Sequence, residues 1–167
     1  MVIPQPADIA PEILAILETV HDPEVPVLTV MDMGIMRKVE QNGTHLTIHI
    51  SPTYSGCPAM DTIADDLKTA FSEHGFTTDI ELVLAPAWTT DDMSEAGKRK
   101  LEEYGIASPL EATADKEALM GEAHKVKCPR CGSTNTHLVS AFGSTACKAH
   151  FKCKDCLEPF DYFKCLK

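Results

Sequence analysis

The sequence lacks the features of a membrane or exported protein and of a dinucleotide-binding enzyme. No apolar run reaches the roughly 18 residues of a membrane span, and the start, MVIPQPAD, has neither a basic region nor a long apolar stretch. No glycine-rich fingerprint for a flavin or nicotinamide cofactor occurs. We therefore expect a cytoplasmic protein that has no membrane segment and binds no dinucleotide.

Basic residues are scarce in the first part of the chain and abundant in the last. Residues 1–106 carry 18 Asp and Glu against 6 Lys and Arg, whereas residues 125–167 carry 3 against 8. Between them, residues 107–124 are short of large apolar side chains, which is typical of a linker. A length of 167 residues allows two small domains. The sequence thus predicts an acidic domain over 1–106, a linker over 107–124 and a basic domain over 125–167.

The acidic domain has turn residues and helix-end residues in the order expected of an α+β fold. Asn42 and Gly43 separate two alternating apolar runs, which is the strongest short-range signal for a hairpin. Pro11 and Pro58 suit the first turns of helices, and Gly75 suits a helix end. The predicted order is α-β-β-α-β-α: a helix from Pro11 to Val20, two strands around Asn42-Gly43, a helix from Pro58 to Gly75, a strand from Thr78 to Leu84 and a helix from Asp91 to Gly105.

Cysteine is nearly absent from the acidic domain and concentrated in the basic one. Cys128 and Cys131 form one Cys-x-x-Cys pair, and Cys153 and Cys156 form a second pair after 21 intervening residues. Each pair presents two thiolates on one tight turn, and two such turns supply the four corners of a tetrahedral site. Without an export signal, metal binding is favoured over disulfides. We predict a four-cysteine zinc ribbon, and iron would accept the same ligands.

Two further cysteines of the basic domain lie outside these pairs. We interpret Cys147 and Cys165 as small core residues, with a second metal or redox site as the alternative. The basic charge of the ribbon would permit nucleic-acid binding. However, a few phosphate contacts give weak, salt-sensitive affinity, which the acidic domain would oppose. Docking onto an acidic protein partner is therefore the favoured role.

Cys57 stands alone in SPTYSGCPAMD, between a predicted strand and a predicted helix. At a helix N-terminus, free N–H groups and the helix dipole are expected to lower the pKa of the thiol. Nucleophilic catalysis and metal ligation both use the thiolate, so this position leaves both open. A thiol enzyme would also use a positioned histidine, and no histidine stands in a recognisable catalytic pattern. Asp22 and Glu24 in the H-D-P-E loop are either site residues or a solvated helix end.

The motifs HDPEVPVLTVMDMGI and TYSGCP resemble those of the small α+β domain family of iron-sulfur assembly proteins, to which SufT belongs, over about residues 11–90. Met33 departs from this pattern, because the family usually has leucine at this position between the aspartate and the glycine. The later motifs APAWTTDDMSEAGKRKLEEYGI, CPRCGS, FGSTACKA and EPFDYFKC resemble the PaaD (PaaJ) family. That family comprises the accessory D subunits of the phenylacetyl-CoA 1,2-epoxidase system in bacterial phenylacetate degradation.

This resemblance implies an accessory subunit that helps to mature iron or iron-sulfur centres of the oxygenase and reductase subunits and is not itself the oxygenase. It implies that Cys57 is a transient ligand for iron or an iron-sulfur cluster, that Asp22 and Glu24 shape or complete the site, and that Thr53 supports the turn.

One cysteine cannot satisfy a four-thiolate cluster. A cluster would therefore bridge two chains of a homodimer or borrow ligands from a client or small thiols. The alternatives are a nucleic-acid or protein-docking module without metal delivery and a thiol-dependent enzyme using Cys57.

Overall fold

The computed structural model describes residues 8–109 and 126–164 and divides into two compact units. The N-terminal unit contains the chain up to Trp88 together with Asp92–Ser94. The ribbon unit contains Thr89–Asp91 and the chain from Glu95 onwards. No helix within the described ranges has the length and apolar character needed to span a bilayer.

The N-terminal unit is a three-stranded sheet with helices, as the sequence predicts. The strand order is β1-β2-β3, in which β1 and β2 form an antiparallel hairpin and β2 pairs in parallel with β3. The second helix makes the crossover between the two parallel strands, which cannot be joined by a tight turn. The elements are α1 (Pro11–Leu17), β1 (Met36–Asn42), β2 (His45–Ile50), α2 (Ala59–Glu73) and β3 (Thr77–Leu82).

The predicted hairpin and its alternation are confirmed. Asn42 pairs with His45 at the end of the ladder, and Gly43 adopts a φ of 64°, a conformation that glycine accepts without strain. The apolar side chains of β2 are fully buried, and those of α2 pack in the same core. The core residues from these two elements are Leu46, Ile48, Ile50, Ile63, Leu67 and Phe71.

The first helix is shorter than predicted and ends at Leu17 rather than near Val20. The Thr19 hydroxyl donates a hydrogen bond of 2.7 Å to the Ile16 carbonyl. A side chain that bonds the backbone in this way competes with the next helical turn. The chain then runs into the loop that carries Asp22 and Glu24.

The turn that follows this loop is fixed by side-chain bonds. Asp32 accepts hydrogen bonds from both the N–H and the hydroxyl of Thr29 at 3.1 Å. The Trp88 indole N–H donates to the Met33 carbonyl at 2.8 Å. Gly34 adopts a φ of 65°, and a Cβ atom there would lie 1.8 Å from the Asp92 carbonyl oxygen. The turn therefore accepts only glycine at this position.

The ribbon unit is a four-stranded sheet in the order β4-β7-β6-β5. Strands β5, β6 and β7 are antiparallel, and β4 adds to the edge in parallel with β7. Its core contains Phe151 and Tyr162, whose rings meet edge to face at 5.4 Å. The elements are α3 (Glu95–Tyr104), β4 (Ile106–Ala107), β5 (Thr136–Ser140), β6 (Lys148–Cys153) and β7 (Pro159–Phe163).

The placement of α3 differs from the sequence prediction, which assigned this helix to the acidic domain over 1–106. The short strand β4 directly follows α3 and pairs with β7, with Ile106 opposite Asp161. This pairing groups α3 with the ribbon unit. Ala107, predicted to begin the linker, is a strand residue, and the predicted linker from residue 110 onwards lies outside the described residues.

The cysteines outside the Cys-x-x-Cys pairs are only partly described. Cys147 is 5% exposed and belongs to the buried apolar residues, which confirms the prediction of a small core residue. The Thr145 hydroxyl lies 3.0 Å from its sulfur. The prediction for Cys165 falls outside the described residues.

Candidate functional site

Four cysteines of the ribbon unit converge on one point. The sulfur atoms of Cys128, Cys131, Cys153 and Cys156 all lie within 4.8 Å of one another. The Cys128 and Cys156 sulfurs are 3.7 Å apart, and those of Cys131 and Cys153 are 3.6 Å apart. Tetrahedral zinc with Zn–S bonds of about 2.3 Å places its sulfurs about 3.8 Å apart. The four thiols therefore fit a tetrahedral metal ion, as the spacing of the two pairs predicts.

The two Cys-x-x-Cys turns, which we call the metal knuckles, repeat one backbone pattern. In the first, the Cys128 N–H donates to the Ser133 carbonyl at 2.9 Å, and in the second the Cys153 N–H donates to the Glu158 carbonyl at 2.9 Å. The backbone N–H groups of Ser133 and Glu158 also bond the sulfurs of Cys131 and Cys156. These bonds stabilise thiolates, the form that ligates metal.

The four thiols cannot all be ionised without a compensating cation. Hydrogen bonds from backbone N–H groups, the strongest from Cys156, lower the pKa of the Cys153 thiol to about 7. A hydrogen bond from the Glu158 N–H favours the Cys156 thiolate, but burial and the neighbouring sulfurs outweigh it and raise the pKa of Cys156 to about 12. The pKa values of Cys153 and Cys156 are pushed apart because closely spaced thiolates repel each other. A bound divalent cation would remove it.

Three side-chain contacts join the segments that carry the two metal knuckles. Asp155 accepts hydrogen bonds from the Ser133 hydroxyl and, at 2.7 Å, from the Asn135 amide. These two bonds, the Ser133 bond first, lower the pKa of the Asp155 carboxyl. Arg130 forms an ion pair with Glu158 across the same gap. The cysteine pairs are thus held in register by contacts outside the metal site.

Cys57 lies where the sequence predicts, in the loop between β2 and α2. Its N–H donates to the Tyr54 carbonyl at 3.2 Å, and its own carbonyl accepts the Met60 N–H at 3.2 Å. The Ala59 N–H, in the first residue of α2, bonds the sulfur. The thiol is half-buried. The Cys57 sulfur therefore lies at the start of α2, one residue before the N-cap residue Pro58.

The predicted direction of the Cys57 pKa shift is wrong. Burial raises the pKa of the thiol, and the nearby Glu24 charge raises it further. Hydrogen bonds from the Ala59 N–H and from the Tyr54 and Thr53 side chains lower the pKa but do not outweigh burial. Desolvation penalises the charged thiolate more than the helix start favours it. In the metal-free protein, burial and the Glu24 charge thus favour the protonated thiol of Cys57.

The structure brings Glu24 and Thr53 to Cys57, while Asp22 acts on the backbone. Asp22 is 5% exposed, and its Oδ1 atom accepts the N–H groups of Glu24 and Val25, each at 2.7 Å. These bonds hold the loop that presents the Glu24 charge to the thiol. Thr53 is 7% exposed and bonds the thiol through its side chain. The predicted site residues thus include Asp22, which organises the loop, Thr53, which bonds the Cys57 thiol, and Glu24, whose charge acts on that thiol.

Sequence reasoning missed Tyr54, whose side chain hydrogen-bonds the Cys57 thiol. A tyrosine three residues before a cysteine has no pattern that predicts this contact, because the bond depends on the tight turn at Gly56, where φ is 80°. The only available signal was its place inside the TYSGCP motif. The thiol is therefore in contact with two side-chain donors, from Thr53 and Tyr54.

Three histidines of the N-terminal unit bond elsewhere. His45 pairs with Asp79 at 3.2 Å, and His49 pairs with Glu40 at 3.0 Å. The His74 ring bonds the Ala70 carbonyl at 2.9 Å. Within the described part of the chain, no histidine ring hydrogen-bonds Cys57. The arrangement therefore lacks the base that a cysteine nucleophile ordinarily uses.

Two family models match this chain. The model described as an iron-sulfur cluster assembly protein matches residues 11–74, and the model described as the PaaD zinc beta ribbon domain matches residues 112–164. The first match includes Cys57 together with Asp22, Glu24 and Thr53, and the second includes all four cysteines of the metal knuckles.

The chain is also similar to individual proteins. A protein of Escherichia coli K12 that bears the provisional name of a 1,2-phenylacetyl-CoA epoxidase D subunit is 46% identical over 96% of this chain and 98% of its own length. An iron-sulfur protein maturation auxiliary factor of Porphyromonas gingivalis is 34% identical over 54% of this chain and 88% of its own. A crystal structure of a domain of unknown function from Bacillus anthracis covers 55% of this chain and 89% of its own, with 26% identity and a TM-score of 0.51.

Proposed function

We propose that this chain, which belongs to the family of 1,2-phenylacetyl-CoA epoxidase D subunits, is an accessory protein of such an epoxidase system and matures its iron or iron-sulfur centres. The family name supports the accessory role. Relatives named as iron-sulfur maturation factors, which match about half of the chain, support the maturation role.

The observation that carries the proposal is the setting of Cys57. Its thiol is acted on by the charge of the Glu24 carboxylate and receives hydrogen bonds from Thr53 and Tyr54 near the start of α2. A soft sulfur and a hard oxygen are both ligands that iron accepts. Binding of a cation would also remove the repulsion between the thiolate and the carboxylate. We infer that Cys57 and Glu24 hold the iron or cluster that is the cargo, with Asp22 fixing their loop.

The site has too few ligands for permanent retention. Cys57 is the sole cysteine in residues 1–127. A four-thiolate cluster therefore has to take further ligands from a second Cys57 in a homodimer, from a client protein or from small thiols. An incompletely ligated site exchanges its cargo more readily than a closed one. This property suits delivery to another protein.

We assign the metal knuckles a different role. Four thiols closing a tetrahedron leave no open position for substrate, which is the arrangement of a structural zinc site. Zinc there would stabilise the ribbon unit, whose apolar core is small. We propose that the ribbon docks the chain onto the oxygenase or reductase subunit. Delivery by the N-terminal unit and docking by the ribbon unit together make one accessory function.

Anaerobic reconstitution with ferrous iron and sulfide tests the cargo site. We expect the wild-type chain to gain iron, sulfide and visible absorption, and we expect Cys57→Ser to lose most of this gain while keeping its zinc. Cys147→Ser is the matched control, because it also removes one thiol that is not a predicted zinc ligand but belongs to the ribbon unit. Equal iron uptake by the wild type and Cys57→Ser would remove Cys57 from the site.

The maturation role needs a second measurement on the clients. The oxygenase and reductase subunits are expressed with this chain, without it and with its Cys57→Ser variant, and their iron and sulfide contents are determined. We expect the content to fall when the chain is absent and to fall comparably with the variant. Unchanged metal content in all three preparations would refute maturation, and docking without metal delivery would then be the better description.

A further inference from the structure

The two metal knuckles place different residues at equivalent backbone positions. Gly132 follows the ligand Cys131, and Leu157 follows the ligand Cys156. The N–H of the next residue bonds the ligand sulfur in both turns. Both positions adopt a left-handed backbone, with φ of 75° at Gly132 and 64° at Leu157. The same tight turn is therefore made once by glycine and once by leucine.

Leucine is an unfavourable residue for this turn. In the left-handed region, a Cβ atom crowds the following carbonyl oxygen, so glycine is the ordinary choice there. Leu157 is the one described residue other than glycine with a positive φ. Strain of this kind persists where the side chain has a use that offsets it.

Packing within the ribbon unit does not explain why leucine occupies this position. Leu157 is 65% exposed and is not part of the cluster of apolar side chains around Phe151 and Tyr162. Burial of the Leu157 side chain therefore adds little stability to offset the cost of its strained backbone. An exposed leucine held on a rigid turn beside a metal ligand has little conformational freedom to lose on binding, which favours contact with a partner.

The charges around Leu157 indicate the chemistry of that partner. Two exposed lysines next to metal ligands, Lys127 before Cys128 and Lys154 after Cys153, form no ion pair with any carboxylate in the described residues. The two nearby carboxylates are already engaged, Glu158 by Arg130 and Asp155 by Ser133 and Asn135. Among the described residues, the charge near Leu157 that no ion pair engages is therefore positive. It complements carboxylates on the facing protein.

We propose that Leu157 is the apolar anchor by which the ribbon docks, inserting into an apolar pocket that is bordered by carboxylates on a subunit of the epoxidase system. This inference rests on the proposed docking role of the ribbon and adds the residue and the kind of surface that it fits. Lys127, next to the ligand Cys128, and Lys154, next to the ligand Cys153, supply positive charge at the two cysteine turns that would attract these carboxylates. The metal ion fixes the turn from which Leu157 projects.

The test compares binding with stability in the full zinc-loaded chain. Leu157→Gly relieves the backbone strain, so it should retain zinc at least as well as the wild type and unfold at the same or a higher temperature. The same variant should bind the purified oxygenase or reductase subunit at least about tenfold more weakly in calorimetry or surface-based binding. Leu157→Met keeps an apolar side chain of similar size and should retain wild-type affinity.

Val139→Thr is the matched control, since Val139 is also exposed, at 55%, but lies in strand β5 and does not have a positive φ. It should bind like the wild type. If the wild type binds a subunit and Leu157→Gly binds equally well, the anchor is refuted while the docking role stands. If the wild type binds neither subunit, both the anchor and the docking role are refuted. Lower stability of Leu157→Gly would likewise overturn the proposal by showing that Leu157 serves the fold.

Discussion

The Asp22 carboxylate accepts a hydrogen bond of 2.7 Å from the backbone N–H of Glu24, two residues further along the chain. The same Oδ1 atom accepts the Val25 N–H at 2.7 Å. A buried carboxylate thereby fixes the loop that presents the Glu24 charge to Cys57. The loop is organised by an acidic side chain before any metal is bound.

We expect Asp22→Ala to destabilise the N-terminal unit by about 2–3 kcal/mol, because two buried N–H groups lose a charged acceptor. Urea unfolding followed by Trp88 fluorescence measures this loss, since Trp88 lies in the same unit and is 2% exposed. Asp22→Asn keeps an uncharged acceptor of the same shape and should cost only about 1 kcal/mol. Unchanged stability in both variants, with reduced iron uptake, would instead identify Asp22 as a ligand.

We expect Cys57 in the metal-free protein to react slowly with iodoacetamide at pH 8, since burial and Glu24 raise the pKa of its thiol. Glu24→Gln removes the repelling charge, lowers that pKa and speeds alkylation of the Cys57 peptide, as mass spectrometry can measure. Glu73→Gln removes a charge from the last residue of α2, at the opposite end of the helix, and should leave the rate unchanged. Equal rates in the wild type and Glu24→Gln would show that Glu24 does not act on the thiol.

The raised pKa of Cys57 also predicts a pH dependence of stability. A thiol whose pKa is higher in the folded protein than in the unfolded chain favours folding below the ordinary cysteine value of about 8.5. That contribution is lost as the pH rises through the folded pKa. The unfolding free energy of the apoprotein, measured between pH 7 and 10, should therefore fall more in the wild type than in Cys57→Ser. Parallel curves for the two proteins would contradict this linkage.

We expect a zinc chelator to unfold the ribbon unit while leaving the N-terminal unit folded. The ribbon has a small core and four thiols that repel one another as thiolates without a cation. Cys153→Ser should have the same effect as chelation. Loss of amide dispersion for residues 126–164 measures ribbon unfolding, and unchanged Trp88 emission reports the other unit. A chelated protein that keeps a dispersed ribbon spectrum would show that the metal is dispensable for this fold.

Local patterns predicted the parts of the fold that depend on neighbouring residues. The hairpin was predicted from the turn at Asn42-Gly43 and the alternation in β2. Two residues are enough to identify such a turn, because few residue types accept its backbone conformation. The four ligands of the metal knuckles also followed from spacing alone. Cys57 was placed correctly before α2, since strand, loop and helix signals follow one another directly.

Contacts between residues far apart in the sequence could not be predicted from local patterns. The two-residue strand β4 is too short to show periodicity, and only its pairing with β7 reveals that α3 belongs with the ribbon. The pKa direction of Cys57 was wrong because the helix start is visible in the sequence whereas burial and the approach of Glu24 arise from tertiary packing. The left-handed backbone of Leu157 is likewise imposed by the metal knuckle and not by leucine itself.

The turn at Gly34 offers a test of the packing within the N-terminal unit. Gly34→Ala should destabilise the N-terminal unit by about 3–5 kcal/mol, because a Cβ atom would lie 1.8 Å from the Asp92 carbonyl oxygen on a backbone with φ of 65°. Gly43→Ala is the control, since φ is 64° there but no atom lies within 4 Å, and it should cost about 1 kcal/mol. Urea unfolding separates the two costs. Equal destabilisation would mean that the chain near Asp92 yields freely and that backbone strain alone selects glycine at this turn.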